Sequence, residues 1–317
     1  MYDAIIVGAS IIDLPAGPVD ASVFEIGTMP VERITMQVGG DAINEATILA
    51  YKGAKVKLIS KIGNDLGGRF ILEHCHKHGI DTSSFAVDGT MDTGINLVLI
   101  DSDGERSFIT SNRGGLRQIK PEDIPLDVLP TARLLCFASI FTYPYFATKE
   151  LAWLFKAAKD AGMILCADMT KCKNRETVAD MADAFSYLDY VFPNYEEAKL
   201  LTGKDDVDEI ADALLMAGVK NVIIKLGAKG CFLKNSMNRI FVPASPGIHC
   251  LDSTGAGDNF VAGFIYGLLQ NLDLKRCAQL ANKTAAESIQ HIGATTWIEA
   301  QNSRSFLNSQ CSQHIVN

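Results

Sequence analysis

The sequence predicts an α/β protein built on a mostly parallel central sheet. Two observations carry this expectation. Short apolar runs occur at residues 4–9, 56–62, 133–138, 163–167, 190–192 and 221–226, and helical patterns fill much of the chain around them, at 42–52, 65–78, 145–161, 195–202, 206–217, 258–270 and 274–291. Short apolar runs suit strands buried on both faces, and their alternation with helices implies βαβ units and parallel neighbours.

The first run lies in Met1-Tyr2-Asp3-Ala4-Ile5-Ile6-Val7-Gly8. It lacks the basic flank and the length of a signal peptide and reads as a first buried strand. Two stretches break the rhythm, residues 22–38 and 94–109, because neither has a crossover helix of its own. The second holds Ile95-Asn96-Leu97-Val98-Leu99-Ile100, the turn Asp101-Ser102-Asp103-Gly104, and Arg106-Ser107-Phe108-Ile109, a strand–turn–strand pattern. Both stretches read as strands of a small sheet projecting from the main domain. It is either a lid over a site or an ordinary antiparallel extension. Residues 302–317 are polar and irregular and read as surface decoration.

A length of 317 residues allows one large α/β domain or two smaller ones with a sizeable core. A net charge of −8 with no block of Lys and Arg argues against a nucleic-acid partner. An anionic small molecule stays open, because a local site on an acidic protein can be positive. No apolar run approaches the roughly 20 residues that span a bilayer, so no membrane partner and a cytoplasmic location are expected. The eight cysteines form no CxxC pair, and Cys136 and Cys166 sit inside apolar runs. They read as reduced, buried thiols.

Four segments carry candidate chemistry. In Asp252-Ser253-Thr254-Gly255-Ala256-Gly257-Asp258, three small residues lead into a helix whose apolar face is Phe260, Phe264, Ile265, Leu268 and Leu269. Free N–H groups and the positive end of the helix dipole then converge on one spot suited to phosphate. Asp258, in the first turn, is placed to accept a proton from a substrate hydroxyl; it equally suits a plain helix cap. The segment is not a P-loop. Nor is it a dinucleotide fingerprint, since the third glycine would fall at Phe260.

In Gly39-Gly40-Asp41-Ala42-Ile43-Asn44, paired glycines permit close backbone approach and Asn44 lies one turn into a helix. This suits a polyol, or simply a turn before a helix. Asp13 joins it, in the loop after the first strand, where α/β sheets bind ligands. Asn194 and Glu197 share a face as a helix starts, for Mg²⁺-bound water and phosphate or for a capping box alone. Lys225-Leu226-Gly227-Ala228-Lys229-Gly230 is a hairpin turn or a backbone cradle for a nucleotide. His74 and His78 share one helix face, but no acidic residue or cysteine joins them at metal-site spacing, and a solvated helix end is the better reading.

Taken in order, these segments resemble the ribokinase-like (PfkB) carbohydrate kinase family over nearly the whole chain. Gly39-Gly40-Asp41-Ala42-Ile43-Asn44 with Lys61-Ile62-Gly63-Asn64-Asp65-x-x-Gly68 is similar to its N-terminal signature, and residues 252–258 to its C-terminal one. The resemblance implies a single domain over 1–317, a three-layer α/β/α sandwich with a small β-sheet lid inserted at about 14–38 and 91–112. It implies transfer of phosphate from ATP, with Mg²⁺, to a hydroxyl of a small sugar or sugar derivative. Asp258 would be the catalytic base, with Gly255, Ala256 and Gly257 as the anion hole. Asp13, Gly39, Gly40 and Asn44 would hold the sugar, beside Ser139. Asn194 and Glu197 would lie near Mg²⁺ and phosphate, Glu197 acting through water. Lys225, Gly227 and Gly230 would run along the nucleotide, with Asn282 near its adenosine. Some members bind K⁺, and Asp252 with backbone carbonyls near Thr254, Ser288 and Gly293 would be the candidates. In many members the lid also forms a homodimer contact.

Three departures stand out. Lys225 replaces a common Thr or Ser, Ser139 replaces a ribose-binding Glu, and Ile11 replaces an Asn of ribokinases; the last two point away from ribose. A nucleoside kinase of the same fold is the alternative, with Phe108, Phe141 and Tyr143 as aromatic platforms or, the better reading for each, as packing residues. Arg106, Arg113 and Lys171 are basic residues that would read an acidic or phosphorylated sugar or would equally be solvated. A non-catalytic sugar sensor is disfavoured by retention of Asp258 with its glycine run.

Overall fold

The computed structural model describes residues 1–111, 114 and 118–301. In chain order the elements are β1 (Tyr2–Val7), β2 (Ile11–Gly17), β3 (Arg33–Ile34), β4 (Gln37–Gly39), α1 (Asp41–Tyr51), β5 (Val56–Ile59), β6 (Lys61–Gly63), α2 (Leu66–Lys77), β7 (Ala86–Asp88), β8 (Ile95–Ile100) and β9 (Arg106–Thr110). Then follow β10 (Ala132–Ile140), α3 (Thr148–Asp160), β11 (Ile164–Met169), α4 (Val178–Phe185), β12 (Tyr190–Phe192), α5 (Tyr195–Thr202), α6 (Val207–Met216), β13 (Asn221–Lys225), β14 (Cys231–Lys234), β15 (Arg239–Val242), α7 (Ala256–Leu269) and α8 (Leu274–Ser288).

The main sheet has eight strands in the order β15-β14-β13-β12-β11-β10-β1-β5. It is parallel from β5 through β13, and β14 and β15 add an antiparallel edge. Alternate side chains of β1 enter opposite layers. Ala4 and Ile6 pack with α1, α2, α7 and α8, whereas Ile5 and Val7 pack with α3, α4, α5 and α6. That is the period of two expected of a strand covered on both faces, and it makes the three-layer sandwich. Helix α7 is buried nearly all round because α1 and α8 flank it. Its glycines permit this: a Cβ at Gly263 would stand 2.9 Å from the Ala281 Cα.

The two irregular stretches form the expected separate sheet. β2 pairs with β3 and β4 antiparallel and with β8 parallel, and β9 closes the β8 hairpin. Three details differ from the sequence expectation. The run 56–62 splits at the buried Ser60, whose carbonyl accepts from the Ala86 N–H at 2.9 Å, so β6 leaves the main sheet to pair with β7. Helix α4 is additional, started by a Thr177–Asp180 capping box. Asp13 lies within β2, not in a loop.

β1 has β5 on one side and β10 on the other, so the chain leaves it in opposite directions. In open α/β sheets ligands bind at such a reversal, outside the carboxyl ends of the strands.

Candidate active site

Helix α7 starts at Gly255, whose φ of 68° is left-handed and whose added Cβ would meet the Ala294 Cα at 2.8 Å. Only glycine fits there without strain. The first-turn N–H groups have no carbonyl a turn behind them. That of Ala256 bends back to the Ser253 carbonyl at 3.2 Å, so Gly257 and Asp258 supply the donors at the positive helix end. The Asp258 carboxylate is buried and accepts from Asn44 Nδ2 at 2.7 Å. Burial pushes its pKa up to about 6; the Asn44 bond and Lys225 oppose the rise, and Asp168 and Asp13 add to it. A helix-end carboxyl at that value is poised between holding and releasing a proton near neutrality.

Asn44 reaches Asp258 because α1 starts in close contact with the first strand's exit. Gly40 has φ of 100°, and a Cβ on it would lie 2.6 Å from the Ala9 carbonyl oxygen; one on Gly39 would overlap the Asp13 carboxylate. Asp13 accepts from Asn96 Nδ2 at 2.9 Å across the β2–β8 pair, and burial raises its pKa. Ser139, next to last in β10, has φ of 65°, and Phe141 just beyond the strand has 76°. Left-handed backbone at two non-glycine residues stores about 1–3 kcal/mol each and is typical of functional turns. Asn44 Oδ1, Asn96 Oδ1, Ser10 Oγ and Ser139 Oγ are buried without a protein partner. Buried polar atoms are normally bonded, so these oxygens fit the hydroxyls of a polyol.

Tyr143 is no stacking platform. Its hydroxyl accepts from the Ala9 N–H at 2.7 Å, and its ring packs edge-on against Phe137 at 5.4 Å. Phe108 lies exposed on β9, and Phe141 is part-buried against the core.

Beyond Asp258 a cavity of about 810 Å³ runs past Lys225, Gly227 and Gly230 to Asn282 and the 244–250 segment. The Lys225–Gly230 segment does form a hairpin, and its glycines also line this cavity. Asn282 donates to the Val242 and Pro243 carbonyls at 3.2 and 3.0 Å and so fixes the cavity wall. Asn194 and Glu197 form the full capping box, at 2.9 and 2.7 Å, and both still face the cavity. Burial pushes Glu197 up to about 7.

The Lys225 side chain lines this cavity and turns toward Asp168. Its Nζ lies 2.7 and 3.0 Å from the Asp168 carboxylate oxygens, and a Cβ on Gly257 would lie only 3.4 Å from it. Burial alone would lower the Lys225 pKa, but the Asp168, Glu197 and Asp258 charges raise it, so the ammonium persists beside the glycine run. Asp168 is a residue the sequence reading missed. Its only signal is a carboxylate closing the apolar run Ile164-Leu165-Cys166-Ala167. Asp41 also lines the cavity, and burial with the Asp258 charge holds its carboxyl well above the ordinary range.

Four carboxylates, Asp41, Asp168, Glu197 and Asp258, thus face one cavity. This oxygen-rich wall fits Mg²⁺, which prefers oxygen and keeps several waters.

Of the expected K⁺ positions, the Asp252 carboxylate is already bonded on both oxygens by the protein itself. Asp252 Oδ1 accepts from the Thr254 N–H at 2.8 Å, from Thr254 Oγ1 at 2.7 Å and from Arg106 Nη2; Oδ2 accepts from the Gly293 N–H at 2.7 Å. Ser288 Oγ bonds the Ala285 carbonyl at 2.9 Å, and the Ser288 carbonyl accepts from the His291 N–H at 3.0 Å. The one formal negative charge is already matched by a guanidinium.

His74 is half-buried: it meets Thr47 Oγ1 at 2.9 Å, and burial pushes its pKa down to about 4. Lys171 is exposed near Glu197. Arg113 and residues 302–317 lie outside the described residues.

The family model described as pfkB family carbohydrate kinase matches residues 1–301. The chain is 27% identical over 303 residues to the 2-dehydro-3-deoxygluconokinase of Bacillus subtilis, covering 91% of this chain and 92% of that one. Its fold is similar to that of Arabidopsis thaliana ribokinase complexed with ribose and ATP, with a TM-score of 0.80 at 23% identity over 93% and 95% of the two chains. It is similar too to adenosine kinase from Sinorhizobium meliloti, with a TM-score of 0.80 at 23% identity over 96% and 99%. With the family model spanning nearly the whole chain and the ribokinase-like fold in place, the protein belongs to the pfkB family of carbohydrate kinases, phosphotransferases with an alcohol group as acceptor.

Proposed function

We propose that the chain transfers the terminal phosphoryl group of ATP to a hydroxyl of a small sugar or sugar derivative, with Asp258 as the base. The observation that carries this is the buried Asp258 carboxylate in the first turn of α7, bonded to Asn44 on one side and close to the Lys225 ammonium on the other. Asp13, Asn44, Asn96 and Ser139 orient the acceptor. Its hydroxyl proton passes to Asp258 while its oxygen attacks the terminal phosphorus and the bond to the ADP oxygen breaks. The Gly257 and Asp258 N–H groups and the Lys225 ammonium face the phosphoryl oxygens, where transfer needs alignment and charge stabilisation. Mg²⁺, when bound, neutralises phosphate charge; Asp41 and Glu197 would hold it through water. The lid sheet excludes water from the reacting groups.

A sugar is preferred to a nucleoside because Tyr143 is committed to the core. The test is an ADP-release screen across sugars, sugar acids, sugar phosphates and nucleosides. Release with a sugar or sugar derivative is expected. A nucleoside as the best acceptor would overturn the substrate class, and no release with any of them would overturn the reaction. The lid also exposes Ile34, Phe108 and Ile109, which supports a lid-to-lid homodimer. Light scattering at micromolar concentration checks this, and a monomer there rejects it.

A further inference from the structure

We propose that Arg106 is a built-in counter-cation for the loop before the anion hole, so that this chain needs no monovalent metal ion for phosphoryl transfer. The proposal rests on the reading of Asp258 and α7 as the reacting centre.

Asp252 is 6% exposed and lies three residues before Gly255. A buried carboxylate is tolerated only when its charge is matched and its lone pairs are bonded. Three of its four donors, the Thr254 N–H, Thr254 Oγ1 and the Gly293 N–H, are neutral. They tie the 252–254 loop to the 293 turn and supply geometry without net charge. The charge comes from Arg106, the first residue of β9, paired across the lid hairpin with Ile100. Its side chain is 22% exposed, so the pair is largely withdrawn from screening by salt.

Arginine suits this task. Its guanidinium is always charged and presents planar donors at fixed angles. Being tethered, it competes with a free ion at high effective concentration, and it repels a second cation from the same carboxylate. The lid touches the other side of the loop pair as well: a Cβ on Gly293 would lie 2.8 Å from Gln37 Oε1 of β4. Arg106 thus ties the lid sheet to the 252–254 loop, and Gln37 lies against the 293 turn beside it. Arg106 is a positioning residue, acting on the anion hole through Asp252.

The experiment compares the unsubstituted protein with Arg106→Ala and Arg106→Lys in KCl, RbCl or choline chloride at equal ionic strength, using ADP release with the acceptor found in the screen. The unsubstituted protein should vary by less than about twofold among the salts, since general screening is held constant. Arg106→Ala should lose about tenfold or more in choline chloride, the scale of one charged hydrogen bond, and recover much of it in KCl. Arg106→Lys should need K⁺ less than Arg106→Ala does. Strong activation of the unsubstituted protein by K⁺ would overturn the proposal, and so would an Arg106→Ala loss that K⁺ does not repair. A second readout is the thermal midpoint of the substrate-free proteins. K⁺ should raise it for Arg106→Ala and leave the unsubstituted protein unmoved; the reverse pattern counts against Arg106. Because this arm needs no turnover, it still decides the question if the screen yields no acceptor and the kinase reading itself fails.

Discussion

Replacing Lys225 by Met separates two roles of one buried ammonium. The Lys225 and Asp168 side chains are 13% and 5% exposed, with the shorter contact at 2.7 Å. Removing one member of such a pair leaves a buried carboxylate uncompensated, at a cost of about 3–5 kcal/mol. Here the remaining charge would also face Asp41, Glu197 and Asp258, so proton uptake by Asp168 sets the lower end of that range. Urea unfolding followed by circular dichroism measures it. Adding Asp168→Asn removes the charge that Lys225 matched, and the double variant should recover to within about 1–2 kcal/mol of the original. Turnover behaves differently if Lys225 also neutralises the phosphoryl oxygens beside Gly257. The double variant should then remain about 10²–10³-fold slow in kcat, the scale of losing one transition-state donor. A stable double variant with kcat within about threefold of the unsubstituted protein would refute a part in transfer. A single Lys225→Met variant of undiminished stability would refute the desolvated pair.

Other outcomes follow from the same groups. Asp258 holds its proton up to about 6 in the folded protein against 3.8 as its ordinary value. The folded state therefore binds the extra proton across that window, and stability falls as pH rises through it. Asp258→Asn should be more stable than the unsubstituted protein at pH 8, by about 1–3 kcal/mol, and gain little at pH 4; denaturation at the two pH values decides this. Asn44→Ala removes the bond that favours the Asp258 carboxylate, so the acid limb of kcat/KM should move up by about 0.5–1 pH unit. A downward move would contradict the assignment. Gly255→Ala forces a Cβ into left-handed backbone and against Ala294, and should cost at least about 1–2 kcal/mol together with most of the turnover. Full activity in that variant would show that the turn is not needed.

What can be read from sequence here follows from the range of the contacts. Strands β1, β10 and β13 are legible because helices cover both faces, leaving unbroken apolar runs. The anion-hole turn is legible because its glycines and Asp258 lie within one short segment. The Lys225–Asp168 pair is not, since its partners are 57 residues apart and meet only when β11 and β13 flank β12. Arg106 and Asp252, 146 apart, meet only through the lid hairpin, and this turns an expected K⁺ position into an ion pair. The break at Ser60 escapes notice because the apolar run continues on both sides of it. Helix α4 escapes because only Met181, Ala184 and Phe185 in it are buried.

One substitution isolates the base. In Asp258→Asn the carboxamide keeps its shape and still accepts the Asn44 hydrogen bond, but it cannot take a proton at neutral pH. Rapid-quench single turnover with ATP and the best acceptor from the screen should show a fall of at least ~100-fold in the transfer rate, with ATP affinity and fold retained. A transfer rate near that of the unsubstituted protein would mean that another group takes the hydroxyl proton, and the catalytic role of Asp258 would fall.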